Sequence, residues 1–312
     1  KGLYDKDLQS KQKGVAEQFA AILSKIRSHK GYPKSIGEST YALKRAIGKY
    51  NSTFNGYEQQ DAQELLKAVL EGINEDCNRV TKKPPYKELK IESKYSIQQN
   101  VTPFAFESVL IVSSLIDDEW FNYNLARDNS TVTDYFCGQL MSKITCSTCG
   151  HSSLAFDNFW DLSLSFPRGS NSHDSCELES MIEHFLKEEQ LDDLYTCEKC
   201  KTPRKSTKKF IIWRVPQILV IHLKRFEYGK FRREKIRRNV IFPVKQLDLR
   251  PLIEAQDSIP FDIIIKSHPL GDQTTQNAVY DLVGIVNHSG DLHGGHYTAY
   301  FEAFFAGTLT IN

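Results

Sequence analysis

Two cysteine pairs with the same C-x-x-C spacing are the feature that most constrains how this chain can fold. Cys146 and Cys149 lie in "TCSTCGH", Cys197 and Cys200 lie in "TCEKCK", and residues 150–196 separate the two pairs. A C-x-x-C turn sets two thiolates on one side of a tight loop, so two such turns supply the four soft ligands of a closed tetrahedral zinc site. The sequence therefore predicts one structural zinc ion per chain, with no open coordination position for catalysis.

The other cysteines do not extend this pattern. Cys137 and Cys176 have no paired spacing, and Cys77 falls on the apolar stripe of a predicted helix, where we expect it to pack. His151 and His173 would enter the site only if one of the four cysteines failed to bind. An odd total of seven cysteines suits metal binding in a reducing compartment better than a disulfide framework, so we expect an intracellular protein, cytoplasmic or nuclear.

The balance of positive and negative residues argues against a partner that is attracted by the net charge of the protein. Lys and Arg number 40 and Asp and Glu number 39, so the whole molecule has no net field that would draw it to nucleic acid or to an anionic membrane. No apolar run approaches the length of a membrane-spanning helix, and the basic start "KGLYDKDLQSKQK" precedes an amphipathic segment instead of a secretory signal core. We therefore expect no membrane association.

Hydrophobic periodicity divides the chain into a helical first part and a β-rich last part. In "GVAEQFAAILSKI" the apolar stripe consists of Val15, Phe19, Ile22, Leu23 and Ile26. In "DAQELLKAVLEGINEDCNRV" it consists of Leu65, Leu66, Val69, Leu70, Ile73 and Cys77. Residues 82–118 show no clear period and are interpreted as an insertion, whereas the runs after residue 210, such as "FIIWRVPQILVIHLKRF", "FDIIIK" and "HYTAYF", are typical of strands. This order predicts an α+β architecture.

One basic segment raises a nucleic-acid hypothesis. In "KRFEYGKFRREKIRRN", eight basic residues fall between Lys224 and Arg238 against two glutamates, and the segment follows a predicted zinc ribbon. Binding to phosphates needs such a patch. The alternative is that these residues form the solvated faces of exposed strands, whose lysines discourage edge pairing. Because no motif that reads RNA or DNA accompanies the charges, we expect the second interpretation.

Six segments, in the same order along the chain, resemble those of the ubiquitin-specific proteases. "GYEQQDAQELLKAVLEGINEDCNRV" resembles their glutamine-aspartate box and "GGHYTAY" their histidine box. Between the two, the resemblance is carried by "STVTDYFCGQLMSKITCSTCGHSSLAFDNFWDLSLSFP", "CEKC", "PQILVIHLKRF" and "VIFPVKQLDL". The resemblance implies an α+β, papain-like cysteine protease fold with thumb, fingers and palm. Its expected parts are a helical thumb over residues 1–130 with the insertion near 82–118, fingers with the zinc site over 131–209, and a palm with the histidine box over 210–312.

The same resemblance implies the activity and its residues. The reaction is hydrolysis of the bond after the last glycine of ubiquitin, so the implied partners are ubiquitin and ubiquitinated proteins. His296 would act as general base and acid, in preference to His288 and His293, which lead into the motif. His222, inside an apolar run, is expected to be a satisfied core histidine. The residues implied to contact the ubiquitin tail are Gln59, Gln60, Asp61, Gly294, Gly295 and Tyr297. Asp61 and Gln60 have a second interpretation as caps of the helix that begins there, and both roles can hold together.

The chain departs from the family pattern at two points. The asparagine-threonine-cysteine-tyrosine box that carries the family's nucleophile does not occur, and the first cysteine is Cys77. After Tyr300 the chain runs into "FEAFFAGTLTIN", where Asn312 lacks the surroundings of the residue that orients the imidazole. We therefore expect the nucleophile to lie outside these 312 residues, which alone would be inactive. The alternatives are a catalytically inert scaffold of the same fold that binds ubiquitin, and a zinc-ribbon protein that binds nucleic acid.

Overall fold

The protein divides into two compact units. The computed structural model describes residues 14–28, 36–85, 120–167, 175–228, 233–254, 278–291 and 294–301. The first unit takes the described residues up to Pro85 together with Tyr123–Tyr135, and the second takes the others. Helices dominate the first unit and strands the second, which confirms the α+β prediction. Across the described ranges, no helix has the length and apolar character needed to cross a membrane.

The first unit is built from helices around a small apolar cluster. Its helices are α1 (Val15–Ser28), α2 (Ile36–Tyr50), α3 (Ala62–Asp76) and α4 (Thr131–Phe136), which ends at the unit boundary; a 3₁₀ turn spans Ser52–Phe54. The cluster consists of Val15, Ile47, Phe54 and Ala68. Gly72 allows the close approach of α1 to α3, because a Cβ there would lie 2.7 Å from Cγ2 of Val15. The Asp76 carboxylate accepts a hydrogen bond from the Ala16 N–H (2.9 Å) and so satisfies a free donor at the start of α1.

The two predicted helices form, but their buried faces are narrower than predicted. Cys77 is buried at the end of α3, with its N–H bonded to the Ile73 carbonyl, which confirms the packing interpretation. The stripe residues that remain exposed are Phe19, Leu23 and Ile26 on α1 and Leu65 and Leu66 on α3. The cluster that α1 and α3 share is small, and the stripe residues that are buried are Val15 and Ile22 on α1 and Leu70 and Cys77 on α3.

A four-stranded antiparallel sheet forms the centre of the second unit. Its order is β2, β1, β8, β5, with β1 (Gly138–Cys146) between β2 (Ser152–Phe159) and β8 (Ser206–Arg214). The other strands before β9 are β3 (Leu162–Leu164), β4 (Cys176–Glu177), β5 (Glu189–Gln190), β6 (Tyr195–Cys197) and β7 (Thr202–Arg204). The later strands are β9 (Ile221–Leu223), β10 (Phe226–Tyr228), β11 (Arg233–Lys235), β12 (Val240–Ile241), β13 (Leu247–Asp248), β14 (Val279–Tyr280), β15 (Gly284–Gly290) and β16 (Gly295–Phe301).

Helix α5 (Leu178–Leu186) covers the apolar part of this sheet. Met181 and Ile182 of α5 are fully buried in the same cluster as Trp213 of β8. Trp213 meets Phe156 of β2 edge to face, with ring centroids 5.4 Å apart, a geometry that aromatic pairs favour. A short helix, α6 (Arg250–Glu254), adds the buried Ile253. The long apolar runs of the sequence therefore supply the core of the second unit.

The apolar run after residue 210 is not one strand. Strand β8 ends at Arg214, Pro216 follows, and β9 begins only at Ile221, where it pairs in parallel with β3. Proline has no N–H for a sheet ladder, which accounts for the interruption. The predicted strand at 261–266 and most of the predicted insertion, 86–118, lie outside the described residues. The boundaries assigned to thumb, fingers and palm remain predictions.

We predict that Ser130→Ala destabilises the first unit by roughly 2–3 kcal/mol. The buried Ser130 hydroxyl donates to Oδ1 of Asn74 (2.6 Å) and accepts from the Val132 and Thr133 N–H groups at the start of α4. The substitution removes a helix cap and a buried hydrogen bond together. Urea unfolding followed by circular dichroism at 222 nm measures the change, and Thr131→Ala, at the neighbouring exposed position, is the control. Equal stability of the two variants would contradict the prediction.

Candidate metal centre and histidine hairpin

The pairing of β1 with β8 brings the two C-x-x-C turns together. Cys146 is the last residue of β1 and pairs with Ser206, the first residue of β8. One residue further on, the Ser147 N–H donates to the Lys205 carbonyl (3.0 Å). The hairpin of β6 and β7, which carries Cys197 at its bend, leads directly into β8. The sheet register alone therefore sets both turns at one end of the sheet.

The two turns have the same backbone form. The Gly150 N–H donates to the Cys146 carbonyl (2.9 Å), and the Lys201 N–H donates to the Cys197 carbonyl (2.7 Å). The donor residue has a positive φ in both cases, 67° at Gly150 and 56° at Lys201. Glycine adopts this conformation freely, whereas lysine does so at an energetic cost. A turn kept in this form despite that cost indicates that the arrangement of its cysteines is specifically required.

The four thiols are close enough to hold one metal ion. Their sulfur atoms all lie within 4.8 Å of one another, and Cys149 and Cys197 are 3.6 Å apart. Tetrahedral zinc with bonds of about 2.3 Å would separate its sulfur ligands by about 3.8 Å. Hydrogen bonds from the Cys149 and Thr148 backbone lower the pKa of the Cys146 thiol to about 6, despite the opposing effect of burial. Such donors favour the thiolate, which is the form that binds a metal.

The two histidines named as substitute ligands do not join this cluster. His151 lies outside the group of four cysteines, and its Nε2 is 3.7 Å from a carboxylate oxygen of Glu198. His173 lies outside the described residues. The donor set that the structure brings together is therefore the one that the spacing predicts, with sulfur as its sole donor element among the described residues.

His296 lies at the start of β16, in an antiparallel hairpin with β15. It pairs with Ser289, and the pairs His288–Tyr297 and Gly290–Gly295 flank it. Its side chain is exposed, and within the described part of the chain no hydrogen bond joins the imidazole to another residue. An imidazole in this state is available to a ligand or to a reacting group.

Two hydrogen bonds join Asp291 and Gly294 at the end of this hairpin. The Asp291 N–H donates to the Gly294 carbonyl (3.0 Å), and the Gly294 N–H donates back to Oδ1 of Asp291 (3.3 Å). Gly290 has a φ of 121°, a conformation that residues with a side chain rarely adopt. A Cβ at Gly295 would overlap Nε2 of His288, so internal packing alone requires a glycine there. His293, the competitor within the turn, lies outside the described residues.

The other two candidate histidines already have partners. Nδ1 of His288 lies 3.0 Å from the Lys235 ammonium, and its ring lies against the Tyr297 ring, with centroids 4.7 Å apart. Nδ1 of His222 lies 3.0 Å from the Ser163 hydroxyl, which confirms the interpretation of His222 as a satisfied histidine. These partners leave His296 as the histidine of the three best placed to act on a ligand.

Asp61 lies in the first unit, where it is the cap of α3. Its Oδ1 accepts hydrogen bonds from the N–H groups of Gln63 (2.7 Å) and Glu64 (3.3 Å), which confirms the capping interpretation. Gln60 does not cap α3, because its side chain donates instead to the Thr53 carbonyl (3.3 Å). Gln59 is exposed. The two hydrogen bonds hold the Asp61 carboxylate at the start of α3.

The basic segment has a role that neither interpretation of its charges anticipated. Arg225 donates to the carbonyls of Ile236 (3.2 Å) and Arg238 (2.7 Å), and Arg238 donates to the Pro167 carbonyl (3.3 Å). Both guanidinium groups also lie near the Phe166 ring, 5.2 and 5.9 Å from its centroid. These two arginines therefore hold backbone segments together inside the protein. Arg232 lies outside the described residues.

Six of the seven cysteines are buried or belong to the metal cluster, and Cys137 is half-buried. Cys77 and Cys176 are buried, and Cys146 and Cys197 are buried in the cluster. Burial raises the pKa of the Cys137 thiol to about 12, although Arg214 and a hydrogen bond with Trp160 oppose the shift. The pKa of the Cys200 thiol is also raised to about 12, in this case mainly by its hydrogen bond with Cys149.

Comparisons with known proteins agree on one family. The family described as "Ubiquitin carboxyl-terminal hydrolase" matches residues 2–307. Ubiquitin carboxyl-terminal hydrolase 2 of Gallus gallus is 38% identical over 268 residues, covering 84% of this chain and 63% of the relative. Its Homo sapiens counterpart is 35% identical over 308 residues, covering 96% of this chain and 44% of the relative. The chain thus spans less than two thirds of the length of these relatives.

A solved structure supports the fold. The SAGA Ubp8/Sgf11/Sus1/Sgf73 DUB module bound to ubiquitin aldehyde superposes with a TM-score of 0.60 at 21% identity, covering 97% of this chain and 55% of that one. The predicted papain-like α+β fold is thereby confirmed.

We predict that the chain binds about one metal ion and that Cys146→Ser or Cys197→Ser releases it. Each substitution removes one of four soft ligands, and the three that remain bind far more weakly. Elemental mass spectrometry of the purified chain gives the identity and the ratio of the metal. Cys176→Ser, which alters a cysteine outside the cluster, should leave the ratio unchanged. Full retention of the metal by the Cys146 and Cys197 variants would rule out this ligand set.

Proposed function

The chain belongs to the ubiquitin carboxyl-terminal hydrolase family, and we propose that it is the deubiquitinase domain of a thiol-dependent ubiquitin-specific protease. The reaction is hydrolysis of the isopeptide or peptide bond after the C-terminal glycine of ubiquitin. It requires a thiolate, an imidazole that lowers the pKa of the thiol and protonates the leaving amine, and donors for the oxyanion. Ubiquitin and ubiquitinated proteins are its proposed partners.

The observation that carries this proposal is the state of His296. The imidazole is exposed at the start of β16, on a hairpin whose turn is fixed by the bonds between Asp291 and Gly294. General acid–base catalysis needs such a group, free to meet a reactant yet attached to rigid backbone. His288, with its Nδ1 beside Lys235, is the weaker candidate.

The nucleophile, in this proposal, is a cysteine outside these 312 residues. Four of the seven cysteines form the metal cluster, and the environments of the other three do not favour an accessible thiolate. The Cys137 thiol, with its pKa raised to about 12, would be almost wholly protonated at neutral pH. The same argument makes the chain alone inactive towards ubiquitin conjugates.

We propose contacts with the tail of ubiquitin for residues of each unit separately. Asp61, with its direction fixed by the α3 cap, would supply charge-assisted hydrogen bonds to basic groups of the tail, with Gln59 and Gln60 beside it. Gly294 and Gly295 would admit the glycines of the tail, because neither has a side chain to block backbone approach. Tyr297 follows His296 on β16 and would contact the same part of the ubiquitin tail.

The metal proposed for the cysteine cluster is zinc in a structural role. The donor set of four sulfurs and the 3.6 Å separation of Cys149 and Cys197 fit a tetrahedral zinc site. With four protein ligands, zinc would have no position open to water or substrate. Its contribution would be to hold the turns at the ends of β1 and β6 together.

A thiol-reactive ubiquitin probe tests the assignment of the nucleophile. We expect no covalent labelling of this chain, and labelling at a cysteine upstream of Lys1 when the preceding segment is present, because only that thiol would meet His296. Mass spectrometry after proteolysis locates the modified residue. Labelling at any of the seven cysteines described here would overturn this part of the proposal. A longer protein that binds ubiquitin but neither reacts nor hydrolyses would support the inert scaffold instead.

Replacement of His296 tests the catalytic assignment. In the protein that includes the upstream segment, His296→Ala should lower kcat for ubiquitin–fluorophore hydrolysis by a factor of about 100 to 10,000, because proton transfer loses its carrier. His184→Ala, which removes an exposed histidine from α5, is the matched control and should leave kcat unchanged. Retention of kcat by the His296 variant would refute the assignment.

A further inference from the structure

We infer that Lys235 is a positioning residue whose ammonium holds the histidine hairpin, and with it the backbone of His296, in place. This inference rests on the proposed function, since it gives His296 its task. Lys235 ends β11, and its partners lie 53 to 55 residues further along the chain. Nothing in the histidine box itself indicates this contact.

The ammonium of Lys235 makes full use of its donors. Nζ lies 2.7 Å from the His288 carbonyl oxygen, 3.0 Å from Nδ1 of His288 and 3.3 Å from the Gly290 carbonyl oxygen. A lysine ammonium has three N–H donors, so each can meet one acceptor. All three acceptors belong to the last three residues of β15, directly before the turn. One side chain therefore fixes the end of the strand that pairs with the start of β16.

The contact passes through His288 to the residue before His296. Because Nδ1 of His288 accepts from a cation, the proton of the neutral ring is on Nε2. That Nε2 lies over Gly295, where an added Cβ would overlap it. The ring is enclosed by Phe226, at a centroid distance of 5.5 Å, and by Tyr297, at 4.7 Å. Lys235, His288 and Gly295 thus form a continuous series of contacts that ends next to His296.

The hairpin needs such a support because of its place in the fold. Among the described strands, β15 and β16 pair only with each other, and two-stranded hairpins are marginally stable. Carbonyls two residues apart on a strand point the same way, so those of His288 and Gly290 face one edge of β15, where Lys235 donates to both. Arg237 adds a second donor to the Gly290 carbonyl (3.4 Å). Lys235 and Arg237 thus donate hydrogen bonds to backbone carbonyls at one edge of β15.

The ammonium is held where its charge is disfavoured. Burial, followed by the positive charges of Arg237 and Arg225, lowers the pKa of Lys235, and the Asp291 carboxylate opposes the shift. The three hydrogen bonds to His288 and Gly290 act in the opposite direction, because they favour the charged form of the amine.

Substitutions at Lys235 test the inference in the full chain. Lys235→Met keeps the length of the side chain but removes its donors, whereas Lys235→Arg retains donors for the two carbonyls. Lys187→Met, at an exposed lysine at the end of α5, is the matched control. Nitrogen-15 labelling of histidine reports the tautomer of His288 and the environment of His296, and hydrogen exchange reports the hairpin amides. Hydrolysis is measured in the protein that includes the upstream segment.

We expect Lys235→Met to convert His288 from the Nε2–H form to a mixture of tautomers and to shift the His296 resonances. Exchange of the amides of residues 289–291, 294 and 295 should accelerate about tenfold, and kcat should fall about tenfold with little change in KM. Lys235→Arg should restore slow exchange and most of kcat, and Lys187→Met should change none of these quantities.

Two results would overturn the inference. The first is an unchanged His288 tautomer with unchanged exchange in Lys235→Met, because the proposed contacts would then not hold the hairpin. The second is faster exchange with unshifted His296 resonances and an unchanged kcat, because Lys235 would then have a stabilising role alone. A wild-type protein that does not hydrolyse ubiquitin conjugates would refute the proposed function, and the imidazole spectra would still decide the positioning role.

Discussion

The backbone pairing of β1 with β8 is the interaction on which most of the second unit depends. It joins residues 60 positions apart at one end, Cys146 and Ser206, and 72 positions apart near the other, Leu140 and Ile212. A slip of one residue would turn every side chain of a strand to the opposite face. Trp213 would then leave the core, and Cys146 would point away from its partners. A single register thus determines both the apolar packing and the geometry of the metal centre.

The sequence predicts features that are encoded locally and misses those that depend on distant neighbours. The two C-x-x-C turns are local, since each needs only four residues and one residue of positive φ, such as Gly150. Helices α1 and α3 are also encoded by a local pattern of apolar residues. The width of their buried faces, however, depends on the size of the cluster around Val15 and Ile47. Helix α2 was not predicted, although Leu43, Ala46 and Ile47 recur at helical spacing on the face that meets this cluster.

The basic segment shows why charge in a sequence is a poor guide to role. In the sequence, Lys235, Arg225 and Arg238 are three basic residues of one segment, and the solvated face of an exposed strand is the expected explanation for all of them. In the fold, their donors meet backbone carbonyls, which have no signature in the sequence because every residue carries one. Acceptors of this kind become visible only once the backbone path is known.

The placement of His296 on a small hairpin separates the proposed catalytic imidazole from the large sheet of the second unit. A catalytic imidazole must meet a reactant within a narrow range of geometry, yet two strands alone cannot hold such a position. Extending the large sheet to the histidine would give rigidity, but it would enclose the side chain that has to remain accessible. Side-chain donors from β11 and the segment after it offer another solution, because Lys235 and Arg237 secure the outer edge of β15 and leave the His296 side chain exposed. Rigidity is thus supplied to the backbone of the hairpin, and access is preserved at its imidazole.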